Sequence, residues 1–205
     1  MGFYAQKILP YLLDWSLSDP NIAKYRKEIL AQVKGEVLEI GFGTGLNLSY
    51  YPKGLEHLVT IDSNPGANKL AEKRIQSSSI TVDNQVLNGE SLPMLDNTFD
   101  SVVSTFTLCS ITKIEQALKE VYRVLKPGGK FFFLEHGLSN EPKIQVWQNR
   151  LTPIQKIIGD GCHFNRNIRQ LVEQQFDNVQ LEEFVGENLP KIAGYLYKGV
   201  AIKAN

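Results

Sequence analysis

The residues best placed to do chemistry in this chain are Glu39, the glycines Gly41, Gly43 and Gly45, and Asp62. The glycines lie in LEIGFGTG, residues 38–45, where a short apolar strand runs into a turn and a helical segment. Glycine at such a turn lets a ligand approach the backbone and leaves helix N–H groups pointing at it. A dinucleotide fingerprint would read GxGxxG, but Leu46 stands where its last glycine belongs. Glu39, inside the preceding strand, would repel a pyrophosphate and favour a cationic amino-acid group. The plainer alternative is an acid facing water at a strand end. Asp62 ends the next strand in Ile61-Asp62-Ser63. An acid there can accept two hydrogen bonds from a ribose diol, or it can cap the helix that begins near Pro65. The glycine turn one strand earlier favours the ribose.

His136 titrates near neutral pH and lies just past a central strand, which makes it the leading candidate for a base. Asp160 and His163, in Gly159-Asp160-Gly161-Cys162-His163, form either a second acid–base pair or an ordinary polar turn. Cys109 and Cys162 have no CxxC or Cys/His ligand spacing, and the three histidines are scattered. No metal site is expected, and both cysteines read as packing residues.

Elements that could position these groups follow from periodicity. Residues 4–17, broken by Pro10, and residues 21–34 read as helices, the second with Ile22, Tyr25, Ile29 and Val33 on one side. Strands are expected at 36–40, 57–61, 80–87, 99–104 and 130–134. Helices are expected at 66–76 and 112–125, the latter carrying a stripe of Ile114, Leu118, Val121 and Leu125 and stopped by Lys126-Pro127-Gly128-Gly129. A helix at 144–158 kinks near Pro153 and puts Ile144, Trp147, Leu151, Ile154 and Ile158 on one side. A helix at 167–176 and strands at 178–184 and 192–202 finish the chain. Alternating strands and helices imply an α/β fold with a mostly parallel sheet, and the short final connection implies an antiparallel last pair. One domain is expected over 1–205: lid helices at 1–34, a ligand-binding core at 36–135, an acceptor-side insertion at 136–176 and a strand pair at 178–205.

With 205 residues, 42% of them apolar and 21% charged, the chain can bury a sizeable core. Lys plus Arg and Asp plus Glu both number 22, so no global field draws it to nucleic acid or anionic lipid. It offers no signal peptide, no acylation signal and no apolar run long enough to span a bilayer. A soluble cytoplasmic protein without a stable membrane anchor or nucleic-acid partner is the expectation; the oligomeric state is not legible.

Taken in order, LEIGFGTG, VTIDSN, NGESLPMLDNTFDSVVS and LKPGGKFFFLEH resemble the class I S-adenosylmethionine-dependent methyltransferases. The resemblance covers residues 36–135 well and the ends more loosely. It implies a Rossmann-like seven-stranded sheet with an antiparallel last strand and helices on both faces. It also implies that Glu39 and the loop Gly41, Gly43, Thr44, Gly45 and Asn47 hold the methionine part and ribose, and that Asp62 and Ser63 hold the ribose hydroxyls. The segment Asn88, Gly89, Glu90 would contact adenine, with Asn88 where the family usually has an acid. Asp100 is read as structural. Thr105, after strand four, completes the cofactor set. In such a sheet the acceptor sits at the carboxyl ends of the strands, near Thr105–Ser110, Glu135–Leu138 and 159–163.

FTLCSI, FFFLEHG, GDGCHFNR and GYLYKGVA are similar to the small-molecule thiol S-methyltransferases, and also to phospholipid and quinone methyltransferases. The expected reaction is methyl transfer to a small acceptor. A thiol is the first choice, with a lipid headgroup amine, a quinone precursor, a phenol or a non-catalytic binding module as the alternatives. Phe3, Tyr4, Tyr11, Leu12, Leu13 and Trp15 are expected in a lid that shields the sulfonium, or in an ordinary helix pair at the sheet edge.

Overall fold

The computed structural model describes residues 2–205. Its frame is one seven-stranded sheet: β1 Val37–Ile40, β2 His57–Asp62, β3 Thr81–Val86, β4 Phe99–Thr105, β5 Leu125–His136, β6 Asn178–Val185 and β7 Tyr195–Ile202. The order is β3-β2-β1-β4-β5-β7-β6. Strands β1 to β5 pair in parallel, and β7 runs antiparallel to both β5 and β6. The seven-stranded, mostly parallel arrangement is therefore the one expected.

Helices cover both faces because the central strands are apolar on both. Along β5, Phe131 and Phe133 enter the core beneath α5 (Ile114–Val124) and α7 (Ile168–Glu173), while Phe132 and Leu134 enter the core beneath α3 (Pro20–Leu30). All four are 0% exposed, the period-two burial of a strand sandwiched between helices. The helix α4 (Pro65–Ser77) adds Ala71 to the α3 side and is capped by Asn64, which accepts from the Gly66 and Ala67 N–H groups.

Several expectations need correcting. The first helical stretch divides at Ile8 into α1 (Phe3–Lys7) and α2 (Leu9–Leu17), with Pro10 in the first turn of α2, where its missing N–H costs nothing. The helix α5 ends at Val124, ahead of the Pro-Gly-Gly segment; β5 already begins at Leu125, paired with Phe99, and shifts register before Lys130 pairs with Ser101. The helix α6 (Pro142–Ile158) runs through Pro153 and buries Gln148 and Thr152, not the expected apolar stripe. The Gln148 amide explains this. Its Nε2 donates to the Gly137 and Ile192 carbonyls at 2.9 Å each and its Oε1 accepts from the Ser139 N–H at 2.9 Å, so burying it satisfies three backbone groups. Trp147 (51% exposed) and Ile154 (57%) face outward instead.

Strand order reverses between β1 and β4, and in open parallel sheets the crevice at the carboxyl ends on either side of such a point takes the ligand.

Candidate active site

A cavity of about 380 Å³ opens at that switch point. Its lining contains eleven of the twelve residues expected to hold the cofactor: Glu39, Gly41, Gly43, Thr44, Asn47, Asp62, Ser63, Asn88, Gly89, Glu90 and Thr105. Gly45 is the exception. It caps the short 3₁₀ turn Leu46–Ser49 from a left-handed backbone (φ 79°) and so shapes the loop from behind.

The loop is held open by glycine for two different reasons. A Cβ on Gly41 (φ +77°) would lie 1.9 Å from Thr107 Oγ1, so β1 and the loop after β4 could not close together. A Cβ on Gly43 (φ +57°) would meet nothing nearer than the Gly41 carbonyl at 4.0 Å, so its bare Cα faces the open cavity. Asp62 then ties the loop down: Oδ2 accepts from the Gly43 N–H at 2.8 Å and Oδ1 from the Asn64 N–H at 2.7 Å. Burial nevertheless raises its carboxyl above the usual range, because two backbone N–H groups do not fully replace water. Further donors, such as a ribose diol, would complete its solvation.

Glu39 is buried, and its surroundings differ from a solvent-facing strand end. Its Oε1 accepts from Asn47 Nδ2 at 2.8 Å and its Oε2 from the Tyr51 hydroxyl at 2.7 Å. Desolvation outweighs these bonds and the nearby Arg26 charge, raising its pKa to about 7. Both oxygens being engaged, Glu39 acts on the cavity mainly through Asn47 and its own charge.

Arg26 is a cavity-lining residue that sequence reasoning missed. It reaches down from α3, 3% exposed, and its Nη1 donates to Asn47 Oδ1 at 2.6 Å and to Thr105 Oγ1 at 2.8 Å. Its guanidinium carbon lies 5.3 Å from the Phe106 ring centroid, and its buried Nε has no partner. Burial lowers its pKa to about 10, so it stays cationic at neutral pH. A buried arginine with an unused donor beside a buried acid suits a zwitterionic amino-acid moiety, which offers a carboxylate to one and an ammonium to the other.

Phe106 itself has a left-handed backbone (φ 53°), a costly state for an aromatic residue. It is held by its N–H donating to the Leu134 carbonyl at 2.8 Å, and by the next N–H, of Thr107, donating to the buried Glu135 carboxylate at 3.0 Å. Asn88 Oδ1 accepts from the Glu90 N–H at 3.0 Å, and Glu90 Oε1 from the Lys113 N–H at 2.9 Å, so this segment is ordered by its own side chains. Asp100 lies apart from the cavity, accepting from the Glu36 N–H at 2.8 Å and Lys126 Nζ at 2.7 Å, as its structural reading required.

The roof is α2. Leu9, Pro10, Leu13, Asp14 and Leu17 line the cavity from above. Asp14 latches the roof down: its Oδ1 accepts from Thr44 Oγ1 at 2.5 Å and from Arg74 Nη1 at 2.8 Å, and the same Arg74 nitrogen donates to the Thr44 carbonyl at 2.8 Å. The side of α2 that lines the cavity is therefore largely aliphatic. Phe3, Tyr11 and Trp15, expected to shield the cofactor, point outward at 75%, 61% and 81% exposure.

Of the three candidate acid–base residues, Asp160 alone lines the cavity. The His136 ring is buried behind the wall with Nε2 3.1 Å from Cys162 Sγ. His163 turns away from Asp160 and sits 3.2 Å from the Cys109 carbonyl through Nδ1, and burial together with the Arg166 charge lowers its pKa. The expected Asp160–His163 pair does not form, because the left-handed turn at Asp160 (φ 48°) and Gly161 (φ 93°) sends the two side chains apart.

Residues 38–133 match the family model described as a methyltransferase domain. The thiol S-methyltransferase TMT1B of Rattus norvegicus is 38% identical over 190 residues, covering 84% of this chain and 77% of the relative. The Homo sapiens protein of the same name is 34% identical over 180 residues, 80% of this chain and 72% of the relative. This chain belongs to the class I S-adenosylmethionine-dependent methyltransferases. Its fold agrees: Haemonchus contortus phosphoethanolamine N-methyltransferase 2, solved with S-adenosylhomocysteine, superposes with a TM-score of 0.71 at 15% identity over 96% of this chain and 57% of that one. The methyltransferase uses S-adenosylmethionine as its methyl donor, and the cavity fits it on its own evidence. The open face at Gly43, the incompletely solvated Asp62 and the unused Arg26 donor answer the nucleoside and amino-acid parts of that molecule.

Proposed function

We propose that this methyltransferase transfers the methyl group to the sulfur of a small thiol. The observation that carries this reading is the 38% identity to a thiol S-methyltransferase across 84% of the chain. The cofactor supplies a methyl carbon already activated by a positive sulfur. Asp62 would hold its ribose, Arg26 its carboxylate, and the Glu39–Asn47 pair its ammonium. The roof residues Leu9, Leu13 and Leu17, with Phe106, exclude water from the reacting atoms. We place the acceptor beside Thr107, Ser110, Thr112 and Asp160, which line the cavity.

A thiol needs little help there. With a pKa of about 8.5 it is partly ionised at neutral pH, and the thiolate is the attacking form. When bound, the cofactor would supply its methyl carbon to that thiolate and be left as a neutral thioether, the acceptor's proton having been given up to solvent before the site closes. Asp160, the ionisable side chain on that side of the cavity, is the residue we place nearest this proton. His136 and His163 take no direct part in this scheme, since neither lines the cavity. Cytoplasmic residence belongs to the same proposal and is supported by two unpaired cysteines. No helix among the described residues is long and apolar enough to cross a membrane.

The test is methyl transfer from radiolabelled cofactor to a panel of acceptors. An alkyl thiol is expected to be methylated in preference to phosphoethanolamine and a quinone precursor. Methylation of either of those two with none of the thiol would overturn the proposal.

A further inference from the structure

Three side chains that share no sequence spacing converge behind the acceptor wall. Cys109 comes from the loop after β4, His136 from the last residue of β5, and Cys162 from the turn between α6 and α7. One ligand atom from each lies within 4.8 Å of the other two, with Cys109 and Cys162 buried and His136 only 9% exposed. The His136 Nε2–Cys162 Sγ distance is 3.1 Å. A tetrahedral zinc ion with bonds of about 2.3 Å to sulfur and 2.0–2.1 Å to nitrogen sets its ligand atoms roughly 3.5–3.8 Å apart, so the 3.1 Å side must open by roughly half an ångström, and the other two sides already lie within the 4.8 Å limit.

We propose that Cys109, His136 and Cys162 form a binding site for one thiophilic divalent cation of the zinc class. The donor set is chemically selective. Two thiolates and an imidazole suit zinc and its soft neighbours, whereas calcium and magnesium require oxygen. As the protein stands, the two buried thiols sit side by side with the imidazole. A bound cation would take both sulfurs as thiolates. Arg166 adds a positive charge beside them, its Nη1 donating to the Leu108 carbonyl.

The consequence is local rigidity. The ligands anchor the loop holding Thr107 and Ser110 and the turn holding Asp160, all of which line the cavity, and Cys109 Sγ is 3.5 Å from Ser110 Oγ. The cation would tie the acceptor wall together while leaving one coordination position open. This inference does not depend on the identity of the acceptor.

The experiment uses the full chain, reduced and stripped by a chelator, and titrates zinc against a chromophoric chelator. One equivalent is expected to bind, and cobalt in its place is expected to show thiolate-to-metal charge transfer. Cys109→Ser, Cys162→Ser and His136→Ala should each weaken binding by at least ~100-fold, beyond what loss of an outer partner costs. Should these variants fold poorly by circular dichroism, the unmodified protein decides: zinc should protect both thiols from alkylation. No protection, a cobalt complex without sulfur charge transfer, or isolation of the protein with a Cys109–Cys162 disulfide and no metal uptake would overturn the proposal.

Discussion

The buried Glu39 carboxylate and the buried Arg26 guanidinium share one partner without forming an ion pair with each other: Asn47 donates to the first at 2.8 Å and accepts from the second at 2.6 Å. A single amide thus holds an acid and a base apart at the carboxyl edge of the sheet. Opposite charges kept separate in a low-dielectric cleft remain available to a ligand that carries both signs.

Cofactor affinity should depend on pH through Glu39. Its pKa of about 7 in the free protein means that the anionic form, which attracts the ammonium, is lost as pH falls through 7. Affinity measured by calorimetry from pH 8.5 to 5.5 is expected to drop about tenfold per unit below the pKa for one proton taken up. Glu39→Gln should flatten this profile. The stability effect has the opposite sense. A raised carboxyl pKa stabilises the fold at low pH and loses that contribution as pH rises through 7, so Glu39→Gln should unfold at higher temperature than the parent at pH 8.

The Asp14 latch predicts a kinetic phenotype. Asp14→Ala removes the partner of Arg74 and Thr44, a partly exposed pair of the kind typically worth up to ~1 kcal/mol, so unfolding temperature should move little. Cofactor release should quicken by several-fold, and hydrogen exchange over residues 3–17 should rise. Unchanged release in stopped-flow measurements would remove α2 from the gating role.

Much of this site could be read from the sequence because its parts are contiguous. Glu39, the glycine loop, Asp62 and Asn88–Glu90 each sit at a strand end, and strand ends are what periodicity locates. Arg26 escaped because a lone arginine in an amphipathic helix passes for a solvated one. Its signal was present: Ile22, Arg26, Ile29 and Val33 are spaced four, three and four residues apart, which puts the arginine on the buried stripe. The cluster of Cys109, His136 and Cys162 left no such trace, since it is assembled from two separate connections and a strand end. The outward face of α6 was misjudged because burial of Gln148 is decided by the backbone of residues 137 and 139, which no helical periodicity reveals.

The pH dependence of turnover should follow the acceptor. With a saturating cysteine-like thiol the rate is expected to rise tenfold per unit toward that thiol's own pKa of about 8.5 and then level off, and with a simple alkyl thiol the rise should continue to higher pH. His163→Ala should leave this profile and the rate within about twofold, the range of surface changes far from the reacting atoms. A large loss of kcat there would return His163 to the mechanism.

Phe106 holds a strained backbone at the cavity edge, which predicts an uncoupling of stability from activity. Phe106→Gly relieves the left-handed strain but removes the ring beneath Arg26 and opens the wall to water. The expected result is a modest change in unfolding temperature with at least a tenfold loss of kcat/KM, measured on the same preparation.

The most direct measurement is the binding of S-adenosylhomocysteine to the parent protein and to Asp62→Ala by isothermal calorimetry. The ribose grip predicts one site per chain and, from the loss of charged hydrogen bonds worth about 1.5–3 kcal/mol, a roughly 10- to 100-fold weaker variant. Equal affinity of the two proteins, or no heat of binding to the parent, would contradict the assignment of this cavity.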